Sequence, residues 1–229
     1  MKKRSDNSPP REVTSNQSDL HPNLATTVNK HLRHRFQKPY ADHNIDAFKQ
    51  ACAWLAERPS PIILDSFCGT GESSRQLARQ FPSAAVIGVD KSAARLQRHQ
   101  AQGDETIENY LLLRADVDDF WRLAAEANWQ LQQHYLLYPN PWPKSAQLQY
   151  RVHGSAVFPA LLQLGGMVTL RSNWKLYVEE FATALTLAGY KALARPYLPE
   201  KKTITAFERK YHLAEQALWE CRCAISSGS

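Results

Sequence analysis

Residues 64–74 read LDSFCGTGESS, and residues 84–90 read AAVIGVD. Each begins with a short apolar run that ends on a polar residue, and the first passes straight into a glycine-bearing turn. The pattern recurs as IILD at 62–65, YLLLRAD at 110–116, HYLLY at 134–138 and MVTLRS at 167–172, with polar stretches of helical length between the runs. Short buried strands alternating with helices predict an α/β fold: a mostly parallel sheet with helices on both faces. Ligands of such sheets bind beyond the carboxyl ends of the strands, so the residues that close each run are the first candidates for a site.

The turn after the first run narrows the ligand. Gly69 and Gly71 permit a tight bend and close approach of a ligand to the backbone. A dinucleotide fingerprint calls for Gly or Ala at Ser74 and usually Gly at Phe67. A phosphate-binding loop calls for Lys and Ser/Thr where Glu72 and Ser73 stand. An acidic residue at 72 repels a pyrophosphate, so the loop suits a ligand without phosphate. Asp90 is placed to accept hydrogen bonds from both hydroxyls of a ribose, and Asp116 to reach an adenine amino group. Either could equally cap a helix. Asp65, Asp90 and Asp116 in register at successive strand ends favour a nucleoside site.

Composition bounds the rest. The chain has 229 residues, 43% of them apolar, and a net charge of +6. No run approaches the length of a membrane helix, and the opening MKKRSDNSPP lacks the apolar core of a secretory signal, so a cytoplasmic protein is expected. Cys52, Cys68, Cys221 and Cys223 do not have zinc-ligand spacing; reduced thiols and no metal are expected. Charge is concentrated at the start. Residues 1–38 carry Lys2, Lys3, Arg4, Arg11, Lys30, Arg33, Arg35 and Lys38 against Asp6, Glu12 and Asp19. Such arms bind phosphate backbones, which points to tRNA or another RNA as partner. Residues 1–23 read as a disordered arm. In 24–38, Leu24, Val28, Leu32 and Phe36 form an apolar helical stripe, while Lys30, Arg33, His34 and Arg35 lie largely off it. The N-terminal helices span 24–58 and the main domain 59–229; a monomer is favoured.

Three further stretches carry a resemblance. YPNPWPK at 138–144, GGMVTLRSNWKLYVEEF at 165–181 and TAFERK at 205–210 follow a segment, 64–96, that looks like the cofactor half of a class I S-adenosylmethionine-dependent methyltransferase. In order and spacing they resemble three stations of the bacterial tRNA (guanine-N7-)-methyltransferase family. The resemblance implies a seven-stranded Rossmann-like methyltransferase sheet and S-adenosylmethionine as cofactor, bound by Asp65, Phe67, Gly69, Gly71, Asp90, Lys91, Asp116 and Val117. It implies catalytic positions at Asn140 and Asn173, and tRNA contacts at Trp142, Lys144, Trp174, Tyr177, Thr205, Glu208 and Arg209. The departures mark a divergent member. The family pattern has Asp where Asn140 and Asn173 stand, and Gly where Phe67 stands. Its dense basic run after the proline loop is thinned here to SAQLQYRVHG, with Arg151 and His153. Three classes remain: an RNA methyltransferase, a methyltransferase acting on an exocyclic amine or another substrate, and a non-catalytic binding relative. The intact cofactor positions disfavour the last. Prolines fix φ and remove donors, so the frame reads as a rigid holder for Asn140 and Trp142.

Overall fold

The five apolar runs become five parallel strands in a computed structural model that describes residues 12–100, 107–199 and 203–226. They are β1 (Ile62–Ser66), β2 (Ala85–Asp90), β3 (Tyr110–Arg114), β4 (Leu131–Leu137) and β5 (Gly166–Ser172). Two further strands, β6 (Ala194–Tyr197) and β7 (Leu218–Ile225), complete a seven-stranded sheet in the order β3-β2-β1-β4-β5-β7-β6. β7 runs antiparallel to β5, and β6 antiparallel to β7. The sheet is the Rossmann-like methyltransferase arrangement expected.

Helices cover both faces: α1 (Leu24–Arg33), α2 (Asp42–Ala56), α3 (Glu72–Gln80), α4 (Ala93–Gln100), α5 (Val117–Glu126), α6 (Phe158–Leu164), α7 (Lys175–Leu187) and α8 (Ala206–Leu213). Side chains alternate across the pleat, and the core divides accordingly. Leu64, Ile87 and Leu136 join Phe120, Trp121, Phe158 and Phe181 on one face. Ile63, Val86, Tyr135 and Leu137 join Leu77 on the other. Strand order reverses between β1 and β4. The glycine loop after β1 and the proline loop after β4 therefore flank one crevice at the carboxyl edge, where open α/β sheets bind ligands. No helix among the described residues is long and apolar enough to cross a membrane.

The N-terminal segment differs from expectation in one part. The stripe of α1 docks as read: Leu24 and Val28 are buried, Leu32 and Phe36 pack on the core, and Lys30, Arg33, His34 and Arg35 are exposed. Residues 1–11, with Lys2, Lys3, Arg4 and Arg11, lie outside the described residues. Residues 15–21, assigned to a disordered arm, instead lie on the domain. Ser15 Oγ donates to the Pro143 carbonyl (2.6 Å) and Gln17 Nε2 to Glu180 Oε1 (2.6 Å). The physical reason is Glu180, a fully buried carboxylate that takes two donors from this segment, Gln17 Nε2 and the His21 amide.

Candidate functional site

The glycine loop is built from left-handed residues. Phe67 (φ 63°), Gly69 (φ 61°) and Gly71 (φ 75°) all have positive φ. Glycine is the usual occupant of that region; Phe67 adopts it while its ring packs edge-on against Trp121, centroids 5.9 Å apart. A Cβ at Gly69 would project into open space, with nothing within 4 Å, so the backbone there is free to meet a ligand. Asp90 is buried and already engaged: its Oδ2 accepts from the Gly69 amide (3.0 Å) and its Oδ1 from the Ser92 amide (2.8 Å). A carboxylate has roughly four lone-pair sites, so acceptor capacity remains for ribose hydroxyls.

Asp65 plays a different part from the ligand contact expected. It is buried beneath the loop, and its Oδ2 accepts from Ser73 Oγ and Ser74 Oγ, each at 2.6 Å. Burial pushes its carboxyl up to about 6 despite those two bonds. Its Oδ1 is buried with no partner, leaving one acceptor beneath the crevice. The open face of Gly69, the buried Asp90 and this unpaired oxygen together fit a nucleoside-bearing group.

At the end of β3, Asp116 is a helix cap: its Oδ1 accepts from the Asp118 amide (2.9 Å) and opens α5. The alternative weighed for each strand-end aspartate is thus realised here, although the side chain is not fully buried. Val117 lies in the core, so only its backbone can face a ligand. Lys91 is exposed at the rim. Together with Lys38, Asn44, Arg114 and Asp119, Lys91 and Asp116 line a cavity of about 220 Å³. Asn44 had no sequence signal. It is buried, accepts from the Asp116 amide (2.9 Å) and donates to Asp119 Oδ2 (2.7 Å), tying the start of α2 to the start of α5. Burial and the neighbouring Asp116 and Asp119 raise the Asp118 carboxyl to about 6.

Across the crevice, the proline loop leaves Asn140 exposed, with its Oδ1 accepting weakly from the Trp142 amide (3.4 Å). Trp142 sits at φ 47° and packs against Tyr150, centroids 5.1 Å apart. Lys144 is exposed. Beneath the loop is a buried network. Arg151 is fully buried; its Nη1 is paired with Glu180 Oε2, its Nε donates to the Trp142 carbonyl (3.1 Å) and its Nη2 to the Lys144 carbonyl (3.3 Å). His153 Nε2 meets the same Glu180 oxygen at 3.0 Å. Burial opposes ionisation of Glu180, but the bond from His153 and the charge of Arg151 outweigh it and hold the carboxyl at about 2. Burial also holds His153 below its usual value. It therefore donates as a neutral imidazole, and the positive charge is Arg151's. Arg151 and His153, what remains of the family's basic run in the sequence, face inward, because both meet the second oxygen of the buried Glu180.

The other two stations converge here. Trp174 stacks on Tyr177 (6.3 Å) with the Arg151 guanidinium over its ring at 5.0 Å. Asn173 Nδ2 donates to Gln216 Oε1 (3.2 Å). α8 reaches back over the crevice: Tyr211 packs on Tyr138 (5.7 Å), and Arg209 donates to both carboxylate oxygens of Glu72 (3.0 and 3.3 Å) at the start of α3. Three expected substrate contacts are corrected by burial. Tyr177 is fully enclosed, its hydroxyl accepting from the Val152 amide. Thr205 caps α8 through the Glu208 amide (2.9 Å). Glu208 is fully buried between the Tyr197 hydroxyl (2.8 Å) and Arg171 (3.5 Å), and burial raises its carboxyl. Trp142, Lys144, Trp174 and Arg209 keep exposed surface.

The chain is similar to known methyltransferases. A family model described as "Putative methyltransferase" matches residues 59–221. The chain is 25% identical over 190 residues to a tRNA (guanine-N(7)-)-methyltransferase of Photobacterium profundum, covering 78% of this chain and 77% of that protein. It is 24% identical over 175 residues to the protein of the same name from Escherichia coli (strain K12), covering 72% and 73%. Among solved structures, the 16S rRNA methyltransferase KamB superposes with a TM-score of 0.54 at 19% identity, covering 82% of this chain and 95% of that one. The antibiotic-resistance methyltransferase Kmr gives 0.55 at 19%, covering 80% and 94%. The last two are likenesses of fold.

Proposed function

The chain is a methyltransferase, belonging to the family described as Putative methyltransferase, and on that premise we propose that it transfers a methyl group from S-adenosylmethionine to tRNA, at guanine N7. The observation that carries this reading is the convergence of three separated segments, 138–144, 172–177 and 205–211, on the edge that holds the glycine loop. Arg151 joins the first to the second, bonding the Trp142 and Lys144 carbonyls and lying over Trp174; Tyr138 packs on Tyr211; and Arg209 ties the third to Glu72 beside the glycine loop.

When bound, S-adenosylmethionine supplies an electrophilic methyl group on a sulfonium. Asp90 would hold its ribose, the Gly69 backbone would lie against it, and the cavity between Lys91 and Asp116 would take its base. The remaining work is positioning, since an in-line displacement is accelerated by holding both partners still in a dry site. Guanine N7 exposes a lone pair and needs no base to start. Attack builds positive charge on the purine, which a nearby acceptor stabilises. Asn140 and Asn173 offer carbonyl oxygens for that charge, and the partly exposed ring of Trp142 offers a wall for the base. The basic side of α1 would contribute phosphate contacts to RNA, in a cytoplasmic enzyme.

One observation favours a second reading, transfer to an exocyclic amine. Both proposed catalytic positions are neutral amides, and two carboxylates of the flanking elements are occupied: Glu208 is buried and Glu72 is paired with Arg209. An amide oxygen suits a substrate NH₂ better than a cationic ring. Labelled transfer to bulk tRNA followed by nucleoside mass spectrometry separates the two. Label in 7-methylguanosine supports the first, label in an N-methylated amine supports the second, and label in neither refutes both. Calorimetry with S-adenosylmethionine tests the cofactor alone.

A further inference from the structure

The proline loop has few bonds of its own: the Trp142 amide reaches Asn140 Oδ1 only at 3.4 Å, and the Lys144 amide goes to Gln147 Oε1 (3.2 Å). Pro139, Pro141 and Pro143 have no amide hydrogen to donate, and Trp142 is kept at a positive φ (47°), which strains a bulky residue. Yet three successive carbonyls are all bonded from outside. Arg151 takes those of Trp142 and Lys144 from beneath, and Ser15 Oγ takes that of Pro143 between them (2.6 Å). The next amide, that of Ser145, donates to Asn16 Oδ1 (2.9 Å). Gln17 follows: its amide donates to Ser15 Oγ (3.0 Å), and its side chain reaches Glu180 Oε1 (2.6 Å), where the His21 amide also donates (2.9 Å). The other oxygen of Glu180 anchors Arg151 and His153. Residues 15–21 and the buried network therefore grip the same four residues of loop, 142–145, from two sides, and share one carboxylate.

We propose that Ser15, Asn16 and Gln17 are positioning residues for the transfer step: they fix the loop that carries Asn140 and Trp142, so their loss lowers the rate of transfer rather than affinity for RNA. The proposal rests on the methyltransferase reading above. It gives the segment a role separate from the phosphate contacts expected of the basic residues on either side of it. Ser15 and Asn16 are exposed, so removing their side chains leaves the core intact. Hydrogen bonds at exposed positions contribute little to global stability, whereas a displacement of 1 Å in a reacting geometry costs roughly 10²-fold in rate.

The test uses the full-length chain with Ser15→Ala and Asn16→Ala combined, and a rescue variant, Ser15→Thr with Asn16→Asp, that restores the hydroxyl and the acceptor oxygen. The expected result is a fall in kcat on tRNA of roughly tenfold to 10²-fold with KM and melting temperature unchanged, and recovery in the rescue variant. Amide hydrogen exchange over 140–151 should be faster in the Ala variant than in wild type. A raised KM with unchanged kcat would make the segment an RNA contact only and overturn the proposal. Unchanged exchange over 140–151 would overturn it as well. If wild type itself transfers no methyl to RNA, the functional reading fails, and exchange alone decides whether the segment holds the loop.

Discussion

Glu180→Gln tests the buried network that underlies the whole crevice. The substitution keeps the shape of the side chain and removes its charge, leaving the Arg151 guanidinium buried without a counter-ion. The magnitude follows by two routes. The Glu180 carboxyl is held at about 2 against an ordinary 4.5, which at 1.36 kcal/mol per unit sets an upper bound of about 3 kcal/mol at neutral pH, where the share that a charged His153 would supply is missing. Breaking a buried ion pair by removing one partner costs about 3–5 kcal/mol in other proteins. For a chain of this length, 3 kcal/mol lowers Tm by roughly 6–12 °C. The pH dependence has a definite sign. The folded pKa lies below the unfolded one, so the contribution is complete above about 4.5 and is lost as pH falls toward 2. Thermal and urea unfolding of wild type and variant at pH 7, 5 and 3 would show a gap that is full at the upper two values and reduced at the lowest. A variant melting within 1 °C of wild type at pH 7, or a gap that widens on acidification, would refute the reasoning.

Other outcomes follow from the site. Asp65→Asn keeps an acceptor for the Ser73 and Ser74 hydroxyls and removes a charge whose folded pKa is raised to about 6. The Asp65 penalty grows as pH rises from about 3.8 to about 6 and is constant above that, so the variant should melt above wild type at pH 7 and level with it near pH 4. Asp90→Ala strands the Gly69 and Ser92 amides and any ribose hydroxyls, and calorimetry should show cofactor binding weaker by about 1–3 kcal/mol. Asn140→Asp and Asn173→Asp should raise 7-methylguanosine formation by about one to two orders of magnitude if N7 is the target. They should instead lower activity if the amides hold an amine, which mass spectrometry of labelled tRNA distinguishes.

The sheet was legible because its strands are short, apolar and bounded by turn chemistry, and the kinship because YPNPWPK, the RSNW segment and TAFERK stand in order. β6 and β7 were not visible in the residues themselves. ARPY is four residues with a proline, and LWECRCAI carries Glu220 and Arg222, charges that interrupt the apolar run and stand in register with Arg171 and Thr169 of β5. The missing glycine at Phe67 was noticed, but only the left-handed φ explains why the position wants one. Burial was the main thing hidden. Arg151 and His153 read as surface charge because the partner that draws them inward, Glu180, is 27 residues or more away in sequence. Thr205 and Glu208 read as contacts, although T-x-x-E is also the signature of a helix cap, which is what they form. Asn44 had no pattern at all, since its partners Asp116 and Asp119 meet it only through the docking of α2 on α5.

The Gly69 and Ser92 amides hold the Asp90 carboxylate from within the fold, so the proposed ribose grip is set by the chain itself. Under the proposed chemistry, the spent cofactor carries the same ribose and adenine as the fresh one. A preset grip on those parts cannot tell the two apart; only the sulfur end differs. The demethylated by-product should therefore occupy the crevice nearly as well as its precursor and compete with it. By-product that accumulates would then slow turnover by competition, and an enzyme that clears it from solution should sustain the steady-state rate while leaving the first turnover unchanged.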